Sequence, residues 1–196
     1  SLSLHAGATV DELHRVGANP DRVLIAEASP HFPRTMGLGP YSHRLHVDEC
    51  DFVVETDRAP VALPDPEPTD VDRAIAGFAT RYIEDGSTIQ TGIGSIPSTI
   101  AKLLAGGDGG DYGVHSEMFT SGLKLLHDSG KVTNAAKTVF EGYSITTFAA
   151  GNESLYQWLD GRSDVRFLPV HVVNSAEVIA DSANMVSVSG GMLIGL

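Results

Sequence analysis

Ser87-Thr88-Ile89-Gln90-Thr91-Gly92-Ile93-Gly94-Ser95-Ile96-Pro97 is the stretch from which the rest of the chain can be read. Residues 87 to 91 are rich in β-branched side chains and bounded by Glu84-Asp85-Gly86 before and Gly92 after, which spells a strand. Pro97 suits the first turn of a helix reaching about Ala105. In a strand, two-glycine bend and helix start, backbone N–H groups face an anion and the helix dipole favours negative charge. No Gly-Lys-Ser/Thr follows, so the bend is not a P-loop. Pro97 also stands where the third glycine of a dinucleotide fingerprint belongs. On its own the bend reads more simply as a tight turn with no ligand.

Downstream, Ala105-Gly106-Gly107-Asp108-Gly109-Gly110 is a flexible link to Tyr112-Gly113-Val114-His115-Ser116-Glu117-Met118-Phe119. Alternation from Tyr112 puts Val114, Ser116 and Met118 on one strand face and His115, Glu117 and Phe119 on the other. A glutamate near the C-terminal end of a parallel strand lies either at a solvated rim or in the crevice where such sheets take ligands, and spacing alone favours the rim.

Further segments repeat the strand and helix alternation. Gly122 to Ser129 reads as a short helix, Ser144 to Ala149 as a strand, Glu153 to Asp160 as a helix and Val165 to Val173 as a strand. Ser175 to Asp181 reads as a helix capped by Asn174 or Ser175, and Asn184 to Ser189 as the last strand. This pattern predicts an α/β fold with an open, mostly parallel sheet, flanking helices and right-handed crossovers.

Upstream, Thr69 with Asp72 marks a helix start. Val71, Ala74, Ile75, Phe78, Ala79 and Tyr82 then form one apolar stripe expected to pack on the sheet. Before it, Pro60, Pro64, Pro66 and Pro68 forbid helix and favour an extended linker. Thr9 caps a helix through Val16, Arg22 to Ala28 reads as a buried strand, His31 to Pro40 as loop and Asp51 to Glu55 as a strand. The organisation expected is residues 1–59 as the remnant of a preceding α/β domain, 60–68 as a proline-rich linker and 69–196 as a second α/β domain truncated at its C-terminal end.

Composition narrows the function. A chain of 196 residues that is 42% hydrophobic can bury a sizeable core. Net charge is −12 and basic residues are not clustered, which speaks against nucleic acid and anionic membranes as partners. Lys102, Lys124, Lys131 and Lys137 lie near the bend in sequence and read as ordinary solvated surface. The one cysteine, Cys50, forms no intrachain disulfide, which fits a reducing cytoplasm. His31, His43 and His46 with Asp48 and Glu49 lack helical or zinc-ribbon spacing, so no metal is expected.

Blocks of sequence, taken in order, carry a resemblance. They are Gly92-Ile93-Gly94-Ser95-Ile96-Pro97, His115-Ser116-Glu117-Met118, Gly130-Lys131-Val132-Thr133-Asn134 and Thr147-Phe148-Ala149-Ala150-Gly151. Leu155-Tyr156, Pro169-Val170 to Val173-Asn174, Val178-Ile179-Ala180 and Asn184-Met185-Val186 follow. Together they resemble the acetyl-CoA hydrolase / 4-hydroxybutyrate CoA-transferase family over about Asp70 to Val186. A weaker echo stands at Phe32-Pro33-Arg34-Thr35-Met36-Gly37. The family's proteins run longer at both ends, and the ending Gly190-Gly191-Met192-Leu193-Ile194-Gly195-Leu196 does not continue its pattern.

The resemblance implies a CoA-transferase-like fold and a ping-pong reaction. Glu117 would attack an acyl-CoA thioester, giving a mixed anhydride and CoA thiolate; the thiolate returns to form a glutamyl-CoA thioester, from which an incoming carboxylate takes CoA. Each step passes through a tetrahedral oxyanion, for which the resemblance offers the Ile93 amide and Asn174 as donors. Asn174 reads equally as a helix cap. Gly92, Gly94, Ser95 and His115 are carried as residues contacting coenzyme A, with His115 either orienting Glu117 or packing beside it. Acyl-CoA and a carboxylate are the expected partners, and a homodimer is implied by analogy. Admission of water to the glutamyl thioester would give a hydrolase. A different class, a non-catalytic small-molecule sensor on the same fold, has no need of Glu117.

Overall fold

A computed structural model describes residues 1–5 and 9–190; the ending past Gly190 lies outside the described residues. In chain order the elements are α1 (Val10–Gly17), β1 (Ile25–Ala28), β2 (Phe52–Glu55), α2 (Asp70–Ala79), β3 (Thr88–Thr91) and α3 (Ser95–Gly106). There follow β4 (Gly113–Val114), β5 (Met118–Phe119), α4 (Ser121–Asp128), β6 (Ser144–Thr146), β7 (Phe148–Ala149) and α5 (Glu153–Leu159). The chain continues with β8 (Val165–Phe167), α6 (Val170–Val173), α7 (Ala176–Ala180) and β9 (Met185–Val188).

Every named strand pair is parallel. β3 lies between β4 and β9, β6 pairs with β8, β5 with β7, and β1 with β2. A bridge from His115 to Ile145 joins the β4 edge to β6, and one from Met36 to Arg166 extends the β8 edge. The fold is therefore α/β with helices flanking short parallel strands, in the family of architectures that alternation predicts.

The core forms where β-branched and aromatic side chains from β3, β4, β5 and β8 meet α3, α4 and α5. Ile89, Ile100, Val114, Phe119, Leu123 and Leu155 are all fully buried. Each such side chain contributes roughly 1.5–3 kcal/mol over leaving it in water.

Helix starts follow the caps. Thr69 Oγ1 accepts from the Asp72 amide at 3.2 Å while an Asp72 carboxylate oxygen accepts from the Thr69 amide at 2.9 Å, closing the box that begins α2. Asn152 caps α5 by accepting from the Leu155 amide at 3.0 Å.

Several expectations are corrected. The α2 stripe does not pack on the sheet: Val71, Ile75, Phe78 and Tyr82 are exposed, and the helix buries Ala76 against α3 instead. Small Ala76 permits close approach of two helices, and the wider apolar line points elsewhere. Nor is residues 22–28 a buried strand, since β1 is four residues long and Val23 and Ile25 are exposed. The segment from Val165 leaves the sheet after Phe167, because Pro169 has no N–H for a ladder and presets a helical start, so residues 170–173 turn into α6. The strand from Ser144 breaks at Thr147 into β6 and β7.

Candidate active site

β3 ends at Thr91 and delivers Gly92-Ile93-Gly94 to the N-terminus of α3. Gly94 holds φ +128°, a conformation that side-chain-bearing residues rarely adopt, which accounts for glycine there. The Gly92 amide is engaged, donating to Val188 O at 3.0 Å. The amides of Ile93 and Gly94 have no acceptor among the described residues.

Beside this bend, the parallel register pairs Ile89 with Val114, so counting on sets Thr91 opposite Ser116. The Ser116 hydroxyl confirms it, accepting from the Thr91 amide at 3.3 Å and donating to Met118 O at 2.8 Å. Glu117 thus directly follows the residue whose hydroxyl is bonded to Thr91, the last residue before the bend.

Glu117 does not sit in a regular strand. Its carbonyl accepts from the amides of both Thr147 (2.9 Å) and Phe148 (3.1 Å), and from Thr146 Oγ1 (2.9 Å). The register is the same on both sides, His115 opposite Ile145 and Met118 opposite Phe148, so the two strands are interrupted together, one between β4 and β5 and the other between β6 and β7. The shared face expected for His115, Glu117 and Phe119 is accordingly not kept: His115 and Phe119 are buried and Glu117 is exposed.

One carboxylate oxygen of Glu117 accepts a hydrogen bond from Asn174 Nδ2 at 2.5 Å. Asn174 ends α6, its own amide donating to Val170 O at 2.8 Å, while Ser175 caps α7 by accepting from the Val178 amide. The helix-cap reading of Asn174 is thereby replaced, and its side chain is committed to the carboxylate.

The His115 ring is 2% exposed and its Nε2 meets Val173 O at 2.7 Å. Burial lowers its pKa, opposed by the Val173 carbonyl and reinforced by Lys137. The neutral ring donates through Nε2, Nδ1 has no partner, and Phe140 stacks on the ring. Expected at the ligand, His115 is enclosed instead. Ser95 likewise turns to α2: the Thr69 amide, then the hydroxyls of Thr69 and Ser95, hold the Asp72 carboxyl below its usual range.

Beneath β4 lies a polar network whose roles the sequence did not disclose. Val114 donates its amide to Asn134 Oδ1 (2.9 Å), Asn134 Nδ2 donates to Ser144 Oγ (3.1 Å), and His127 Nε2 lies 2.9 Å from the same hydroxyl. Lys137, read as solvated surface, is 4% exposed and donates to Val114 O at 2.8 Å and Tyr143 O at 2.6 Å. Burial brings its pKa down to about 7. Nothing in the local sequence around Lys137 distinguishes a buried lysine from a surface one.

The proline segment is not a free connection. Leu63 donates its amide to Gly151 O at 2.7 Å, Tyr156 Oη donates to Val61 O at 3.0 Å, and Asn152 Nδ2 donates to Asp65 Oδ2 at 3.0 Å. Leu63 to Pro66 and the Gly92–Gly94 bend line a half-open cavity of about 270 Å³ together with Ala150 and Gly151; Glu117 and Asn174 lie outside that lining.

Chemically, the arrangement offers an exposed carboxylate with one oxygen held by the Asn174 amide and, separately, a bend whose Ile93 and Gly94 N–H donors have no acceptor among the described residues. Among the described residues no group of three or more His, Cys, Asp or Glu side chains is placed to hold a metal ion, and no helix is long and apolar enough to cross a membrane.

Comparison with known proteins adds three findings. A family model for the acetyl-CoA hydrolase/transferase C-terminal domain matches residues 151–196. The chain is 33% identical, over 91% of its length, to a 4-hydroxybutyrate coenzyme A transferase of Clostridium kluyveri, and 32% identical, over 88%, to a succinyl-CoA:cyclohexane-1-carboxylate CoA transferase of Geobacter metallireducens. It spans 40% and 38% of those relatives. Among solved structures it is similar to RipA from Yersinia pestis (TM-score 0.80, 31% identity, 85% of this chain and 37% of that one). It is also similar to a 4-hydroxybutyrate CoA-transferase from Porphyromonas gingivalis (TM-score 0.76, 27% identity, 84% and 41%).

Proposed function

Because this chain belongs to the acetyl-CoA hydrolase/transferase family, we propose that it serves a protein that moves coenzyme A from an acyl-CoA to a free carboxylate, with Glu117 as the acyl acceptor. The observation that carries this reading is the Asn174 to Glu117 hydrogen bond, because it ties a carboxylate in the break between β4 and β5 to an amide donor 57 residues away.

In the proposed cycle, a Glu117 oxygen attacks the thioester carbon and CoA leaves as thiolate. The thiolate attacks the glutamyl carbon of the anhydride, expelling the first carboxylate and leaving a glutamyl-CoA thioester. The acceptor carboxylate repeats the exchange in reverse and Glu117 is regenerated. Oxyanions formed along the way are met by the Ile93 amide, which is unengaged, and by the Asn174 side chain. Gly92 and Gly94 shape the bend, letting the CoA arm approach the backbone. The proline segment over the bend marks the boundary between the two α/β units of the proposed organisation. Remaining walls of the site come, in this proposal, from the part of the relatives' length that the chain does not span. The proposed setting is the cytoplasm, which the single cysteine fits, and the proposed assembly is a homodimer, from family likeness.

A second reading, thioester hydrolysis, is favoured by the exposure of Glu117, since water reaching the glutamyl thioester would release CoA. Incubating the protein with acetyl-CoA and labelled propionate separates them: transfer gives labelled propionyl-CoA in step with acetyl-CoA loss, whereas hydrolysis gives free CoA whether or not propionate is present. Absence of both products, with the protein folded, contradicts the proposal.

A further inference from the structure

We infer that His115 is a positioning residue for the reaction, acting on Glu117 through the Val173 carbonyl and the Asn174 side chain and not through contact with a ligand. This rests on the reading of Glu117 as the acyl acceptor.

The contacts close a ring. His115 Nε2 donates to Val173 O at 2.7 Å, and the planar peptide from Val173 leads directly to Asn174. Asn174 Nδ2 then donates to Glu117 Oε2 at 2.5 Å, and Glu117 is two residues along the chain from His115. Three things make the imidazole consequential here. α6 is four residues long, too short to hold its shape by its own ladder. Val173 O lies in its last turn, among the carbonyls that a helix leaves without an intrahelical donor. The ring itself is clamped, being enclosed and stacked on Phe140 with centroids 6.3 Å apart and planes 15° from parallel.

Asn174 is thus held at both ends: by its backbone, fixed through His115 and Val170, and by its side chain, fixed on Glu117. The Nε2 N–H is the one ring contact this requires, Nδ1 having no partner among the described residues. Releasing the Val173 carbonyl would let the α6 end rotate, and a misplacement of about 1 Å in a group aligned with reacting atoms costs up to about 10²-fold in rate.

The test compares His115→Phe, which keeps the ring stack and removes the donor, with His115→Gln, which restores an N–H. Expected for His115→Phe is a kcat for acetyl-CoA-dependent transfer lower by about 10- to 100-fold with KM for acetyl-CoA within about twofold. His115→Gln recovers to within about fivefold of the parent, and in an Asn174→Ala background His115→Phe has no further effect. A loss of equal size in that background, a rise in KM without a fall in kcat, or an unchanged kcat overturns the inference. The side-chain NH₂ resonances of Asn174 supply a readout independent of CoA chemistry: they shift on His115→Phe and on Glu117→Gln and return toward the parent position in His115→Gln. Resonances unmoved by His115→Phe overturn the inference even if transfer is impaired. If Glu117→Gln retains full transfer while the Asn174 resonances respond as expected, it is the catalytic reading of Glu117 that falls and the positioning geometry that stands. Should His115→Phe not fold, His115→Met, also without a donor, takes its place with the same outcomes.

Discussion

The strand pair β1–β2 and the trio β4–β3–β9 are both parallel and both apolar in sequence, yet Ile89 and Val114 are 0% exposed while Ile25 is 61% and Phe52 60% exposed. Around the trio, α3 and α4 cover the apolar side chains, and side chains from Asn134 and Lys137 satisfy the Val114 backbone. Around the pair, much of the apolar surface stays open among the described residues. A row of β-branched residues therefore specifies a strand without specifying what covers it, and rigidity around Glu117 comes from the covered region.

The largest expected break between the regions is chemical. Glu117→Gln should lower transfer by at least about 10³-fold, about 4 kcal/mol in the barrier, because the amide cannot form the anhydride. Phe52→Ala in β2 should leave transfer within about twofold. Steady-state assays of both variants check this, and equal losses would erase the distinction between the regions.

Next in size is packing. Phe119→Ala should destabilise by about 3–5 kcal/mol through the lost transfer energy and the cavity it leaves, whereas Phe52→Ala should cost less than about 1 kcal/mol. Denaturant melts of the two variants measure the gap.

Acid should sharpen the contrast further. Burial, only partly offset by Asp164, pushes His127 down to about 4 from 6.5. Between these values the unfolded chain takes a proton that the folded chain refuses, so stability falls as pH drops from 6.5 toward 4, by up to about 3 kcal/mol. Lys137 acts in the alkaline window: buried and brought down to about 7 from 10.5, it refuses a proton the unfolded chain holds, so its contribution to stability rises as pH climbs from 7 toward 10.5. Melts of the parent and His127→Gln from pH 7 to 4.5 should differ in slope, the variant being flatter.

Smallest is the α2 stripe, where Val71→Lys should change stability by less than about 0.5 kcal/mol because the side chain is exposed. A loss above about 2 kcal/mol would show that the stripe is covered in solution and that the openness assigned to this face is wrong.

Much of the covered region was legible from residues alone. β3, the two-glycine bend and α3 announce themselves through β-branching, Gly92, Gly94 and Pro97, and the α2 start through Thr69 and Asp72. These are local signals, set within a few residues. What escaped is non-local. The break at Glu117, whose carbonyl accepts from the amides of Thr147 and Phe148 far along the chain, is one that alternation cannot anticipate. The end of the strand after Phe167 was local, but Pro169 was outvoted by the apolar run from Val170 to Val173. The burial of Lys137 depends on two carbonyls that only the fold brings together. Glu117 was singled out by resemblance, while its tie to Asn174 required coordinates.

The account turns on one carboxylate becoming acylated, and mass analysis of the protein after acetyl-CoA and then borohydride reads that event directly. A glutamyl-CoA thioester at Glu117 would be reduced to a primary alcohol, so the peptide bearing residue 117 should lose one oxygen and gain two hydrogens, with CoA set free and no such change in Glu117→Gln. An unaltered peptide from folded protein exposed to acetyl-CoA, or the same change at another carboxylate, would contradict the account.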